Sequence, residues 1–139
     1  MSDAKPAEGK VAKARKIESP EPTPGTAPYW DGAKAGKLML RVCNDCKQLH
    51  HYPRDICPHC FSLDLAWQPA SGKGKIYTYS VMRRAPVPYA IAYVTLVEGV
   101  TMMTNIVDCD LDAVRIDQPV KVVFKPSENG QPVPMFTPV

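Results

Sequence analysis

Cys43-Asn44-Asp45-Cys46 and Cys57-Pro58-His59-Cys60 are two C-x2-C pairs separated by ten residues. Tetrahedral zinc asks for four thiolates converging at about 2.3 Å, and two such knuckles on adjacent hairpins deliver that geometry. Ten residues return the chain but leave no room for a separate element. Disulfides suit a reducing compartment poorly, and iron held as in rubredoxin uses similar knuckles; the spacing points first to zinc. Four cysteine ligands close the coordination sphere to water and substrate, so such an ion contributes folding free energy rather than Lewis acidity. Cys43, Cys46, Cys57 and Cys60 are thus the predicted ligands of one structural zinc. His50, His51 and His59 stand beside them and are read as loop or supporting residues.

Outward from the quartet, Leu38–Val42 reads as a strand entering the first pair and Asp64–Trp67 as the strand closing the ribbon. From Gly72 the texture changes to strands. Lys75–Met82 and Tyr89–Val97 are rich in β-branched and aromatic residues. Glu98-Gly99 separates the second of these from Val100–Val107, a tight hairpin signal. Pro119–Phe124 makes a fourth strand, and Val133–Thr137 a fifth after the Asn129-Gly130 turn. Five short antiparallel strands suit a small closed barrel of the oligonucleotide/oligosaccharide-binding (OB) type, with an SH3-like barrel as the alternative.

Upstream, Tyr29–Gly36 suggests a short helix, with Pro28 near its start and Gly36 as its stop. Residues 1–28 hold five of the fifteen prolines and no apolar periodicity, which reads as a flexible Pro-rich arm ordered by a partner subunit. The expected organisation is an arm over 1–28, a short helix plus zinc ribbon over 29–70, and the barrel over 71–139. The fold class is mostly β.

The net charge of +3 is unevenly spread. Residues 71–84 carry Lys73, Lys75, Arg83 and Arg84 without an acid, whereas 85–114 carry Glu98, Asp108, Asp110 and Asp112 without Lys or Arg. A single-strand nucleic-acid binder, the alternative that a ribbon joined to an OB barrel suggests, needs a basic groove interleaved with aromatics. Here the strands that normally form that groove carry no cation, which argues against it. The basic run fits another anion: the 3′-phosphate and diphosphate of coenzyme A, which a few Lys and Arg can clamp. A solvated face or an acidic partner would use the same residues. Cys109 lies between Asp108 and Asp110, whose charges oppose a thiolate, so it is read as a strand-end residue and not a nucleophile. No Ser/His/Asp arrangement, phosphate-cradling glycine loop or paired-carboxylate motif stands out, so catalytic residues are expected in another chain. No apolar run reaches the roughly 20 residues that span a bilayer, and the N-terminal stretch has no apolar signal-like core. A cytoplasmic protein is expected.

Tyr29–Gly32, Leu38–Cys46, Tyr52-Pro53-Arg54, Cys57–Cys60, Ser71–Gly74 before a Tyr-rich strand, Pro88-Tyr89, Glu98–Val100 and Val120–Phe124 together resemble the DUF35 family. The resemblance runs from about residue 28 to the C-terminus. It implies a rubredoxin-like zinc ribbon followed by an OB-fold. It also implies a non-catalytic accessory subunit of a thiolase-fold acyl-CoA enzyme, whether thiolase, acyltransferase or aldolase. Members include small subunits of benzoylsuccinyl-CoA thiolase and of the archaeal thiolase/HMG-CoA synthase complex. The implied partners are a thiolase-fold catalytic subunit in a hetero-oligomer and an acyl-CoA. Where the family often has glycine just after each knuckle, this chain has Lys47 and Phe61. A positive φ there would cost about 1 kcal/mol, which zinc binding absorbs.

Overall fold

The computed structural model describes residues 11–139, and the first ten residues of the expected arm lie outside that range. The helix is α1 (Ala27–Lys34), two residues earlier at each end than the sequence suggests. Pro28 sits in its first turn, where a missing N–H costs nothing, and Gly36 at φ 74° turns the chain out of the helix. Tyr29, Trp30 and Ala33 form its buried face.

β1 (Met39–Cys43) is the centre of a three-stranded antiparallel sheet, with β2 (Leu49–His50) on one side and β3 (Leu65–Pro69) on the other. Leu40 pairs with Gln68 and Arg41 with both His50 and Trp67. The Arg41 guanidinium lies 4.5 Å from the Trp67 ring centroid, so the polar face of β1 is covered by an aromatic side chain.

Five strands close the barrel in the order β4-β5-β6-β8-β7. They are β4 (Lys73–Met82), β5 (Tyr89–Leu96), β6 (Thr101–Ile106), β7 (Pro119–Pro126) and β8 (Pro132–Pro138). The expected purely antiparallel arrangement needs one correction: β6 and β8 run parallel, with Ile106 opposite Phe136 as their single registered pair. The reason is topological. Strands alternating in direction around a ring of odd number must leave one like-directed pair.

The inward residues of the strands are Ile76, Val94, Leu96, Met102, Ile106, Val120 and Phe136, all buried. Gly74 has no room for a side chain, because a Cβ there would lie 2.7 Å from the Thr95 carbonyl oxygen. The barrel core continues into Tyr29, Trp30, Leu38 and Leu40, so helix, ribbon and barrel share one apolar cluster. Between Ile76 and Thr78 the β4–β5 register shifts by a bulge that leaves Tyr77 on the outside, 66% exposed.

The described part of the arm lies along the chain's own barrel. Val11 bridges to Asp110, the Ala12 N–H donates to the Cys109 carbonyl at 2.8 Å, and the Glu128 N–H donates to the Ile17 carbonyl at 3.0 Å. The Asn129 N–H donates to the Ser19 hydroxyl, and Lys16 pairs with Glu128 at 2.9 Å. Among the described residues no helix is long and apolar enough to cross a membrane.

Candidate metal centre and the surfaces around it

Both C-x2-C pairs fold into the same knuckle. In the first, the Cys43 N–H donates to the Gln48 carbonyl, the Lys47 N–H to the Cys43 carbonyl, and the Cys46 N–H to the Cys43 sulfur at 3.4 Å. In the second, the Cys57 N–H donates to the Ser62 carbonyl, the Phe61 N–H to the Cys57 carbonyl, and the His59 N–H to the Cys57 sulfur at 3.4 Å. Each knuckle ends in a left-handed residue, Lys47 and Phe61, both at φ 64°. Those are the two positions expected to carry that strain. Cross-bonds lock the knuckles together: the Asn44 side chain donates to the Asp64 carboxylate at 2.9 Å, and the Ser62 hydroxyl donates to Asp45.

The four sulfurs lie within 4.8 Å of one another. Cys43 and Cys60 are 3.6 Å apart at sulfur, and Cys46 and Cys57 are 3.7 Å apart. Zinc–sulfur bonds of about 2.3 Å in a tetrahedron put sulfurs about 3.8 Å apart, whereas a disulfide brings them to about 2.05 Å. All four are free thiols, and the arrangement fits a structural zinc. The Cys46 N–H bond holds the Cys43 thiol down to about 6, against burial and with help from the Asp45 amide.

No histidine joins this quartet. His50 is buried, with Nε2 accepting from the Arg54 N–H at 3.3 Å. His59 reaches the Leu49 carbonyl through Nε2 at 3.4 Å, and His51 meets the Tyr29 hydroxyl at 3.3 Å. His51 belongs to an aromatic knot that sequence reading does not reveal: Tyr29 packs edge-on against Trp30 and Tyr52, and the Trp30 indole N–H donates to the Tyr52 hydroxyl at 3.2 Å. This knot ties α1 to the loop between the knuckles. The Gln131 side chain extends the tie to the barrel by donating to the Trp30 carbonyl at 3.1 Å.

The four cations of the basic run do not converge. Lys73 and Lys75 point outward at one end of β4, where Lys121 stands opposite Lys73. Arg83 and Arg84 lie beyond its other end, about 25 Å away along an extended strand, and Arg83 is paired with Asp112. Cys109 is buried, and burial, followed by Asp110 and Asp108, pushes its thiol up to about 11. That is unsuited to nucleophilic attack. A cleft of about 610 Å³ separates ribbon from barrel, between His50, Arg54 and His59 on one side and Glu98–Thr101 on the other.

On the outer face of β5 and β6 the side chains are apolar or neutral. Tyr93 stands opposite Met103 and Thr95 opposite Thr101, with Tyr77 alongside. Tyr93 is 45% exposed and Met103 59%. β5 and β6 contribute no cation, unlike a strand-binding groove.

Fold and centre together define a protein with a four-cysteine zinc ribbon fused to an OB barrel. Residues 30–66 match the ChsH2 rubredoxin-like zinc ribbon domain, and residues 67–125 match the ChsH2 C-terminal OB-fold domain. A DUF35 domain-containing scaffold protein of Methanocaldococcus jannaschii is 39% identical over 104 residues, 69% of this chain and 74% of that protein. The chain belongs to the DUF35 family. A probable enoyl-CoA hydratase alpha subunit of Thermomonospora curvata is 34% identical over 115 residues, and the match spans 79% of this chain but 36% of that longer protein. Among solved structures, an Ltp2-ChsH2(DUF35) aldolase contains a chain that superposes with a TM-score of 0.78 at 33% identity. That superposition covers 86% of this chain and 98% of the other.

Proposed function

We propose that this chain is a non-catalytic accessory subunit that docks on a thiolase-fold catalytic subunit and helps bind or channel its acyl-CoA. The observation that carries the reading is the uncharged outer face of β5 and β6, with Tyr93 and Met103 exposed as cross-strand partners and Tyr77 exposed on the neighbouring β4. Tyrosine and methionine are enriched where proteins meet, and a contiguous exposed apolar patch marks such a site. The relatives support the kind of partner: one is called a scaffold protein, another is a subunit of a CoA-ester hydratase, and a third forms an aldolase with Ltp2. Zinc, on this reading, holds the docking surface in shape while chemistry is supplied by the other chain.

The acyl-CoA part rests on charge. Lys73, Lys75 and Lys121 form a lysine edge beside the apolar face, suited to the coenzyme's phosphates. Arg84 stands far from that edge, and Arg83 is engaged by Asp112, so both fit partner contact better than phosphate.

Co-expression of the tagged chain with a thiolase-fold subunit from the same source tests the proposal. A stoichiometric complex is expected, with CoA binding lost from the complex on Lys73→Gln/Lys75→Gln. A chain that elutes alone at micromolar concentration beside every such subunit sinks it.

A further inference from the structure

The seam between β6 and β8 is the weakest joint of the barrel, with one registered pair and the Val107 N–H to Phe136 carbonyl bond of 2.8 Å. Residues 12–18 cross over it, anchored at one end on Cys109 and at the other on the turn after β7. Between strap and seam lies a cavity of about 380 Å³, the lower range of small-ligand pockets. It lies on different residues from the ribbon cleft and from the lysine edge.

Its floor is apolar, made by Pro88, Tyr89, Ile106, Val107 and Met135. Its walls are cationic: Lys13, Arg15, Lys16 and Lys125 face only Glu18 and Asp108. Two of these cations are spent, Lys125 on Asp108 and Lys16 on Glu128. Arg15 is different. Its guanidinium carbon stands 3.6 Å from the Tyr89 ring centroid, and among the described residues it has no ion-pair partner. Stacking fixes the guanidinium plane while leaving the in-plane N–H groups unspent, the arrangement that receives a planar or tetrahedral oxyanion bidentately. Asn105 lines the same cavity. One amide N–H donates to the Ala90 carbonyl at 3.0 Å, and among the described residues the second has no partner, which leaves it as a further donor.

We propose that the space under the 12–18 strap binds a small molecule with an apolar body and one oxyanion, its tail on Tyr89 and Met135 and its anion on the Arg15 fork. The strap itself buries little apolar surface, with Lys13, Ala14, Arg15 and Lys16 all exposed, so it can lift to admit a ligand. Carboxylate and phosphate heads share this chemistry.

The test uses the full-length zinc-loaded chain without a partner, so its result is separate from that of the docking proposal. Calorimetric titration compares hexanoate, hexyl phosphate, inorganic phosphate and neutral hexanamide. At least one of the two hexyl anions binds, about tenfold or more tighter than hexanamide, and which of the two binds identifies the head group. Arg15→Gln weakens it at least tenfold, while Lys34→Gln on the exposed side of α1 leaves it unchanged. Bound probe also slows amide exchange at Ala12 and Glu128, whose N–H groups tie the strap down. Equal binding by Arg15→Gln, inorganic phosphate matching the hexyl anions, or no binding at all overturns the proposal.

Discussion

The sulfurs of Cys43 and Cys60 lie 3.6 Å apart, joining the first thiol of one knuckle to the last of the other. With Cys46 and Cys57 at 3.7 Å, both sulfur pairs are too far apart for a disulfide and at the spacing that a shared zinc ion sets. Binding of structural zinc is worth about 10–16 kcal/mol in small zinc domains, against about 5–15 kcal/mol for the whole stability of a typical domain. Elemental analysis is therefore expected to find one zinc per chain. A strong chelator, or Cys60→Ser, should unfold the ribbon and shift the emission of Trp30 and Trp67. Unchanged melting of the metal-stripped chain would contradict a structural role.

Lys47 and Phe61 offer a test in the opposite direction. Both sit at φ 64°, and Phe61 is 78% exposed, so its ring contributes little packing. Relief of left-handed strain is worth about 1–2 kcal/mol, less about 0.5–1 kcal/mol for the added freedom of glycine in the unfolded chain. Lys47→Gly and Phe61→Gly should each stabilise the zinc-loaded protein by about 0.5–1 kcal/mol in chemical denaturation. The effects should add, since each residue ends its own knuckle.

Tyr52→Phe removes the partner of a buried donor. Trp30 is 8% exposed, and its indole N–H reaches Tyr52 at 3.2 Å. Leaving that N–H unpaired should cost about 1–3 kcal/mol. Trp30→Phe in the Tyr52→Phe background should cost less than in the native chain, a coupling that a double-mutant cycle reads directly.

Burial, followed by the neighbouring His50, holds His51 down to about 4. The folded state thus disfavours the imidazolium, and the unfolded chain takes up the proton first. Stability should be full above about pH 6.5 and fall as pH drops towards about 4, by up to about 3 kcal/mol. With zinc in excess, urea midpoints of His51→Gln should fall less steeply over that window than those of the native chain. Parallel pH curves would remove His51 as the cause.

Docking through the β4–β6 face predicts separable effects on folding and association. Tyr93 and Met103 are cross-strand partners whose side chains are half exposed. Met103→Lys should change the melting temperature little, because surface substitutions are usually within about 0.5 kcal/mol, yet abolish copurification of the catalytic subunit. Retained copurification would move the interface elsewhere.

Much of this architecture is legible in the residues alone. The C-x2-C spacing, the Glu98-Gly99 and Asn129-Gly130 turns and the stop at Gly36 are local signals, each set by backbone geometry within a few residues. The strain at Lys47 and Phe61 is foreseen through the family resemblance, in which glycine often stands at those two positions. The basic run shows the limit. Lys73, Lys75, Arg83 and Arg84 look like one patch in the chain, but an extended strand places residues eight apart at opposite ends of a barrel.

The sequence by itself determined the thiol quartet, the number of barrel strands and the absence of cations from β5 and β6, because these depend on spacing and composition. Only the tertiary structure decided what lies beside what. It closes the odd-membered barrel through a parallel β6–β8 seam, lays residues 11–19 across that seam, and brings Tyr29, Trp30, His51 and Tyr52 into one knot. Those contacts join residues far apart in the chain, and no local preference encodes them. They form because burying the apolar faces of helix, ribbon and barrel in one core leaves the connecting segments few places to run.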